Sequence, residues 1–187
     1  MSGLRKPLAI EVPRQLAISP DATDRLTAWS ERIPSSSADA ALLRMAGDAE
    51  NWMNLLIESG VPVIIHWRCP RAEALIATHG VVGLHLPASE APSAFRSRVR
   101  GLLGQSVHSI AAAKQAEAEG CDYLMISPIF APGSKPGDTR PTLGLEGLAA
   151  VCRAVRVPVL ALGGVGPADE TPCRSAGAWG VTGISGW

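Results

Sequence analysis

Four short apolar runs decide the fold of this chain: Val61-Pro62-Val63-Ile64-Ile65-His66, Val81-Val82-Gly83-Leu84-His85-Leu86, Gln105-Ser106-Val107-His108 and Asp122-Tyr123-Leu124-Met125-Ile126-Ser127. The first is the clearest, continuous and apolar as a strand covered on both faces must be. Between the runs the pattern changes. Residues 72–77 and 94–99 read as short helices, and Ser109 caps a longer alanine-rich helix that Gly120 stops. Strict alternation of strand and helix implies parallel pairing with right-handed crossovers.

The same rhythm extends both ways. On the N-terminal side Leu16-Ala17-Ile18 is a strand. Pro20-Asp21 opens a helix with Leu26, Trp29 and Ile33 three and four apart, which Pro34 and three serines end. Residues 40–45 form the next strand. Asp48 then caps a helix whose face is Trp52, Leu55, Leu56 and Ser59, closed by Gly60. On the other side, residues 144–155 and 168–176 read as helices, and 157–162 and 181–185 as strands. Eight strands and seven helices within 187 residues fit a compact closed sheet better than an open doubly wound one. The expected fold is α/β, a single (β/α)₈ TIM barrel spanning residues 1–187. No Gly-x-Gly-x-x-Gly follows the first strand, which removes the main reason to prefer a dinucleotide-binding fold. The eighth helix is expected to be lacking. The outer face of the last strand then needs another cover, either residues 4–13 or a second subunit of a homodimer.

Composition narrows the function classes. Hydrophobic residues make up 47% of the chain and the formal net charge is zero, so nothing steers it toward nucleic acid or an acidic membrane. No apolar run approaches the ~20 residues of a membrane span. The apolar stretch at the start is broken by Glu11 and Pro13, unlike a signal peptide. A cytoplasmic protein is expected. Cys69, Cys121, Cys152 and Cys173 show no Cys-x-x-Cys spacing, against a zinc site or disulfide framework and in favour of reduced, structural thiols.

In a TIM barrel the chemistry sits at the C-terminal ends of the strands, with phosphate often in the loops after strands seven and eight. Those loops read Gly163-Gly164 and Gly183-Ile184-Ser185-Gly186. Glycines there let backbone N–H groups approach a phosphate; the alternative is tight turns without a ligand. The other strand ends supply Arg44, His66, Arg68, Ser89, Glu90, Ser106, His108 and Ser127. The Gly- and Pro-rich loop 131–143 carries Lys135 and Arg140 and reads as a lid, or as a solvated connection. Lys135 could neutralise charge over a phosphate pocket. Among the histidines, His85 reads as a hydrogen-bonded core residue and His79 as exposed. His66 and His108, at strand ends, are the acid–base candidates.

Gly83-Leu84-His85-Leu86-Pro87, Ser106-Val107-His108-Ser109, Gly120-Cys121-Asp122-Tyr123, Ser127-Pro128-Ile129-Phe130 with Ser134-Lys135, Leu143-Gly144-Leu145-Glu146, residues 157–164 and Ala176-Gly177-Ala178-Trp179-Gly180-Val181 occur in this order. Together they resemble the thiamine phosphate synthase/TenI family. The resemblance implies a thiazole phosphate held by Gly163, Gly164, Ile184 and Ser185. It also implies a pyrophosphate or pyrimidine side formed by Arg44, Ser106, Ser134 and Lys135. Synthases of this family join hydroxymethylpyrimidine diphosphate to thiazole phosphate and hold Mg²⁺ with two aspartates, after strands three and four. Here those places read His66-Trp67-Arg68 and Pro87-Ala88-Ser89-Glu90, so only Glu90 could serve a metal. Met45 and Ala46 replace the Glu and Lys that follow the strand-two Arg. Arg68 and the Leu-Pro pair after strand four are TenI-like. TenI-type members move a proton to aromatise a thiazole carboxylate phosphate, but their shuttle histidine falls on Pro128, leaving His108 or His66 to substitute.

Three readings follow. The first is a TenI-like thiazole tautomerase without metal. The second is a divergent thiamine phosphate synthase, with Mg²⁺ required only in that case. The third is a non-catalytic protein binding thiamine phosphate or a precursor. In each, the partner is a small-molecule phosphate, with no nucleic acid and no membrane. An unrelated phosphate-binding barrel isomerase is disfavoured because its carboxylate or Cys acid–base pair has no counterpart here.

Overall fold

A computed structural model describes residues 10–21, 23–44, 47, 49–131 and 141–187. Its strands are β1 (Gln15–Ile18), β2 (Ala40–Leu43), β3 (Val63–His66), β4 (Val81–Leu86), β5 (Leu102–Val107), β6 (Tyr123–Ile126), β7 (Val159–Ala161) and β8 (Gly180–Gly183). All neighbours pair in parallel, and β8 closes on β1 with Leu16 opposite Thr182. The helices are α1 (Thr23–Arg32), α2 (Ala49–Glu58), α3 (Ala72–Leu75), α4 (Ser93–Arg96), α5 (Ile110–Ala118), α6 (Gly144–Ala154) and α7 (Glu170–Ser175). Short 3₁₀ turns follow α1 (Ile33–Ser35) and precede α7 (Pro167–Asp169). The expected (β/α)₈ barrel is therefore the observed one, with seven α-helices among the described residues. No described helix is long and apolar enough to cross a membrane.

Parallel strands bury both faces, and the core divides accordingly. Leu16, Ile18, Leu42, Ile64, Tyr123, Met125 and Leu160 fill the barrel interior. Two outer clusters lie between sheet and helices, one around Leu84, Leu124, Leu148 and Val181, the other around Ala17, Trp29, Met53 and Ile65. Trp187 packs against both. Its indole N–H donates to the Gly183 carbonyl at 3.0 Å, and the Trp187 carbonyl accepts from Arg32 Nε at 3.3 Å. Trp187 thus stands over the seam between β8 and β1.

The expectation that residues 4–13 cover that face is corrected for the residues described. Residues 10–14 instead cross the N-terminal end of the barrel. There the Trp179 indole donates to the Val12 carbonyl at 2.9 Å, and the Arg14 guanidinium lies 4.2 Å from the Trp179 ring centre. Residues 4–9 lie outside the described residues, as does the expected cap Asp48. Other boundaries shift modestly. β5 begins three residues before the predicted Gln105. The buried face of α2 is Ala49, Met53 and Leu56, with Leu55 exposed. Ser109 does cap α5, its Oγ accepting the Ala112 N–H at 3.1 Å.

Candidate active site

The C-terminal ends of the strands form the mouth of the barrel. At the end of β2, the Arg44 N–H is accepted by Ser19 Oγ at 2.8 Å, and Arg44 Nη2 donates to both Asp21 carboxylate oxygens at 2.8 and 2.9 Å. Its Nε is buried without a partner among the described residues. Asp21 reads in sequence as a helix opener; nothing local signals that it meets a side chain 23 residues away.

The structure separates the two candidate histidines. His66, at the end of β3, is 6% exposed, and its Nδ1 accepts the Arg68 N–H at 3.1 Å. Burial, then the charges of Arg44 and Arg68, depress its pKa to about 4, against a smaller opposing effect of Asp21. At neutral pH it is an uncharged ring whose one lone pair holds the turn into Arg68. His108, after β5, is exposed at the mouth. Its Nδ1 lies 2.9 Å from the Ser127 carbonyl, which can only accept, so Nδ1 carries the proton and Nε2 presents a lone pair. His79 is exposed, as expected. His85 is buried as expected, with both ring nitrogens bonded: Nδ1 to the Tyr123 hydroxyl at 3.1 Å and Nε2 to Ser106 Oγ at 2.9 Å. Burial foremost lowers its pKa well below the usual value.

The two glycine loops lie side by side. Gly163 and Gly164 have φ of +91° and +63°, and Gly186 has +97°, conformations that disfavour a side chain. A Cβ on Gly164 would stand 2.7 Å from the Ala131 carbonyl oxygen, and one on Gly183 2.6 Å from that of Val165. The β6 loop packs on this turn, Phe130 N–H donating to the Gly163 carbonyl at 2.9 Å and Ile129 N–H to that of Leu162 at 3.0 Å. The N–H groups of Gly164, Ile184 and Ser185, on the two loops, have no partner among the described residues.

The ends of the 131–143 loop are drawn together, Leu143 and Gly144 N–H donating to the carbonyls of Pro128 and Ile129 at 2.9 and 3.0 Å. Ser134, Lys135 and Arg140 within it lie outside the described residues, as do Met45 and Ala46.

The donor set does not suit a hard divalent cation. Among the described residues no three His, Cys, Asp or Glu side chains converge. Glu90 is the one carboxylate on the loop after β4. That loop is pinned by Gln105, whose Nε2 donates to the carbonyls of Glu90 at 2.6 Å and Pro87 at 3.2 Å. After β2 and β3 stand Arg44, paired with Asp21, and Arg68, cations where Mg²⁺ would want carboxylates. No disulfide joins the cysteines, and burial foremost raises Cys121 to about 12 and Cys152 and Cys173 to about 11, which disfavours their thiolates.

The sequence profile of one family, described as thiamine monophosphate synthase, matches residues 32–187. The chain belongs to the thiamine monophosphate synthase family. Its relatives in this family include the thiamine-phosphate synthase of Chloroflexus aurantiacus, 36% identical over 148 residues, 78% of this chain and 66% of that protein. The one from Roseiflexus castenholzii is 35% identical over 163 residues, 86% of this chain and 69% of that protein. For Moorella thermoacetica the match is 37% over 131 residues, 60% of that protein. The chain thus spans about 55–66% of the length of several of its curated relatives. Among solved structures, thiamine phosphate pyrophosphorylase from Pyrococcus furiosus superposes with a TM-score of 0.70 at 21% identity, over 90% of this chain and 84% of that one. At that identity the likeness is one of fold.

Proposed function

We propose that this chain binds a phosphorylated thiazole at its β7 and β8 glycine loops and moves a proton on that ring, as a TenI-like thiazole tautomerase. The observation that carries the reading is His108. Its Nδ1 donates to the carbonyl of Ser127, so the ring sits beside Pro128, the position onto which the family's shuttle histidine falls. A base displaced onto the neighbouring strand end thereby reaches the same part of the mouth. Nε2 takes a proton from one ring position and returns it at another, so no atom is gained or lost and no metal is needed. Arg44 and Arg68 suit the ligand's second anionic group, a carboxylate. The test is conversion of the thiazole carboxylate phosphate tautomer by the purified chain in EDTA, followed by ultraviolet absorbance. Turnover that disappears in His108→Ala supports the reading, and full turnover in that variant refutes it.

A second reading, thiamine phosphate synthase, is favoured by the names of the curated relatives at 35–37% identity. It requires pyrophosphate release from hydroxymethylpyrimidine diphosphate plus thiazole phosphate with Mg²⁺ supplied. Release at a rate comparable with the tautomer reaction would favour it over the first. The mismatch between Mg²⁺ and the described donors counts against it. Saturable thiazole phosphate binding with turnover in neither assay would leave a non-catalytic binder.

A further inference from the structure

We propose that Tyr123 and His85, both inside the barrel, fix the Ser106 hydroxyl as a hydrogen-bond donor to an anionic oxygen of the ligand. The ligand's identity rests on the reading above; the direction of the hydrogen bonds does not. Tyr123 is fully buried, and its hydroxyl meets one partner among the described residues, His85 Nδ1 at 3.1 Å. His85 Nε2 meets Ser106 Oγ at 2.9 Å, and Ser106 alone of the three reaches the surface.

Two proton arrangements satisfy these distances while His85 is neutral. In one, Tyr123 O–H donates to Nδ1, Nε2–H donates to Ser106 Oγ, and the Ser106 proton turns outward. In the other, Ser106 donates inward to Nε2, Nδ1–H donates to the phenol oxygen, and the phenol proton is left buried without an acceptor. An unmet buried donor carries a desolvation penalty that an exposed serine proton does not. Burial also raises the Tyr123 pKa far above the ordinary phenol range, so the phenol proton is always present and must be placed. The first arrangement therefore prevails, and a phenol in the barrel interior sets the sense of a hydroxyl at its mouth. Gly104 makes the arrangement sterically possible, since a Cβ there would lie 2.1 Å from Tyr123 Cζ. An outward donor suits a phosphate or pyrophosphate oxygen.

Long-range ¹H–¹⁵N NMR of the full chain with ¹⁵N-labelled histidine reads the tautomer directly. His85 is expected as the Nε2–H form, and the Nδ1–H form overturns the proposal. Tyr123→Phe removes the constraint and is expected to admit a fraction of Nδ1–H; an unchanged tautomer with unchanged pyrophosphate affinity overturns the role of the phenol. Inorganic pyrophosphate serves as the anion probe in calorimetric titration. Ser106→Ala is expected to weaken it about tenfold and Tyr123→Phe several-fold, with the double variant no weaker than Ser106→Ala alone. Strictly additive losses, or no pyrophosphate binding by the unaltered chain, overturn the anion part. Pyrophosphate binding with no thiazole phosphate binding leaves this proposal standing and refutes only the reading above.

Discussion

Arg44 is tied to Asp21 through a single nitrogen, Nη2, which stands 2.8 and 2.9 Å from the two carboxylate oxygens, and the charges of both side chains fall on His66. Asp21 is 71% exposed at its side chain, so the pair contributes little stability by itself. Its effect is on the neighbouring imidazole. With His66 at about 4 in the fold and near 6.5 when unfolded, the unfolded chain binds more protons between those values. His66 thus contributes stability present in full above pH 6.5 and lost as pH falls toward 4, on the order of 3 kcal/mol in the limit. Buried His85, lowered in the same direction, adds to the trend. Denaturant unfolding at intervals between pH 7 and 4 should show that decline. NMR titration should show His66 moving up in Arg44→Ala and further down in Asp21→Asn; movement in the same direction in both variants would contradict the electrostatic account.

The division between the histidines predicts unequal mutants. His108→Ala should lower tautomer turnover by about 10²–10⁴. His66→Asn should retain most of it, because the amide oxygen can accept the Arg68 N–H as Nδ1 does. Steady-state kinetics on the two variants decides the point. A larger loss in His66→Asn would move the acid–base role to β3.

Gly104→Ala tests the barrel interior. The added methyl would stand 2.1 Å from Tyr123 Cζ and 2.3 Å from Cε1, an overpacking expected to cost about 1–3 kcal/mol. Thermal unfolding should therefore drop by about 3–10 °C. Gly104→Ala combined with Tyr123→Val should recover part of the loss, because the ring it meets is gone.

At the proposed phosphate cradle, Gly164→Ala places a Cβ 2.7 Å from the Ala131 oxygen at a residue with φ of +63°. The left-handed conformation alone costs about 1–2 kcal/mol. Thiazole phosphate affinity should fall at least tenfold, as the loop shifts away from its partner. Gly47, with open space around its Cβ position, is the control: Gly47→Ala should leave thiazole phosphate affinity unchanged.

Much of this was legible in the residues. The barrel followed from the alternation of apolar runs and helices, because parallel strands buried on both faces leave an unmistakable pattern. The glycine loops were found because strand order fixes where such loops fall. What escaped were pairings between distant strands. Asp21 reads as a helix opener, Gln105 as the start of a strand, and Tyr123 as part of an apolar strand run. Their roles come from closure of the sheet, which brings Tyr123 against His85, 38 residues away. The unequal character of His66 and His108 was equally hidden, since burial and a single carbonyl partner distinguish them, and neither is a local property. Residues 10–13 do not cover the last strand, because they lie instead at the barrel's N-terminal end, around Trp179.

One segment, residues 127–131, touches both His108 and the β7 glycine loop: the Ser127 carbonyl holds His108, Phe130 bonds Gly163, and the Ala131 oxygen lies against Gly164. On the proposed function, the phosphate handle and the proton-transfer base are thereby mounted on one short lever. If grip on the handle aligns the base, a substrate stripped of its phosphate forfeits rate as well as affinity. Adding inorganic phosphate separately to a dephosphorylated thiazole carboxylate would then restore part of kcat, since the empty grip could be filled without a covalent tether.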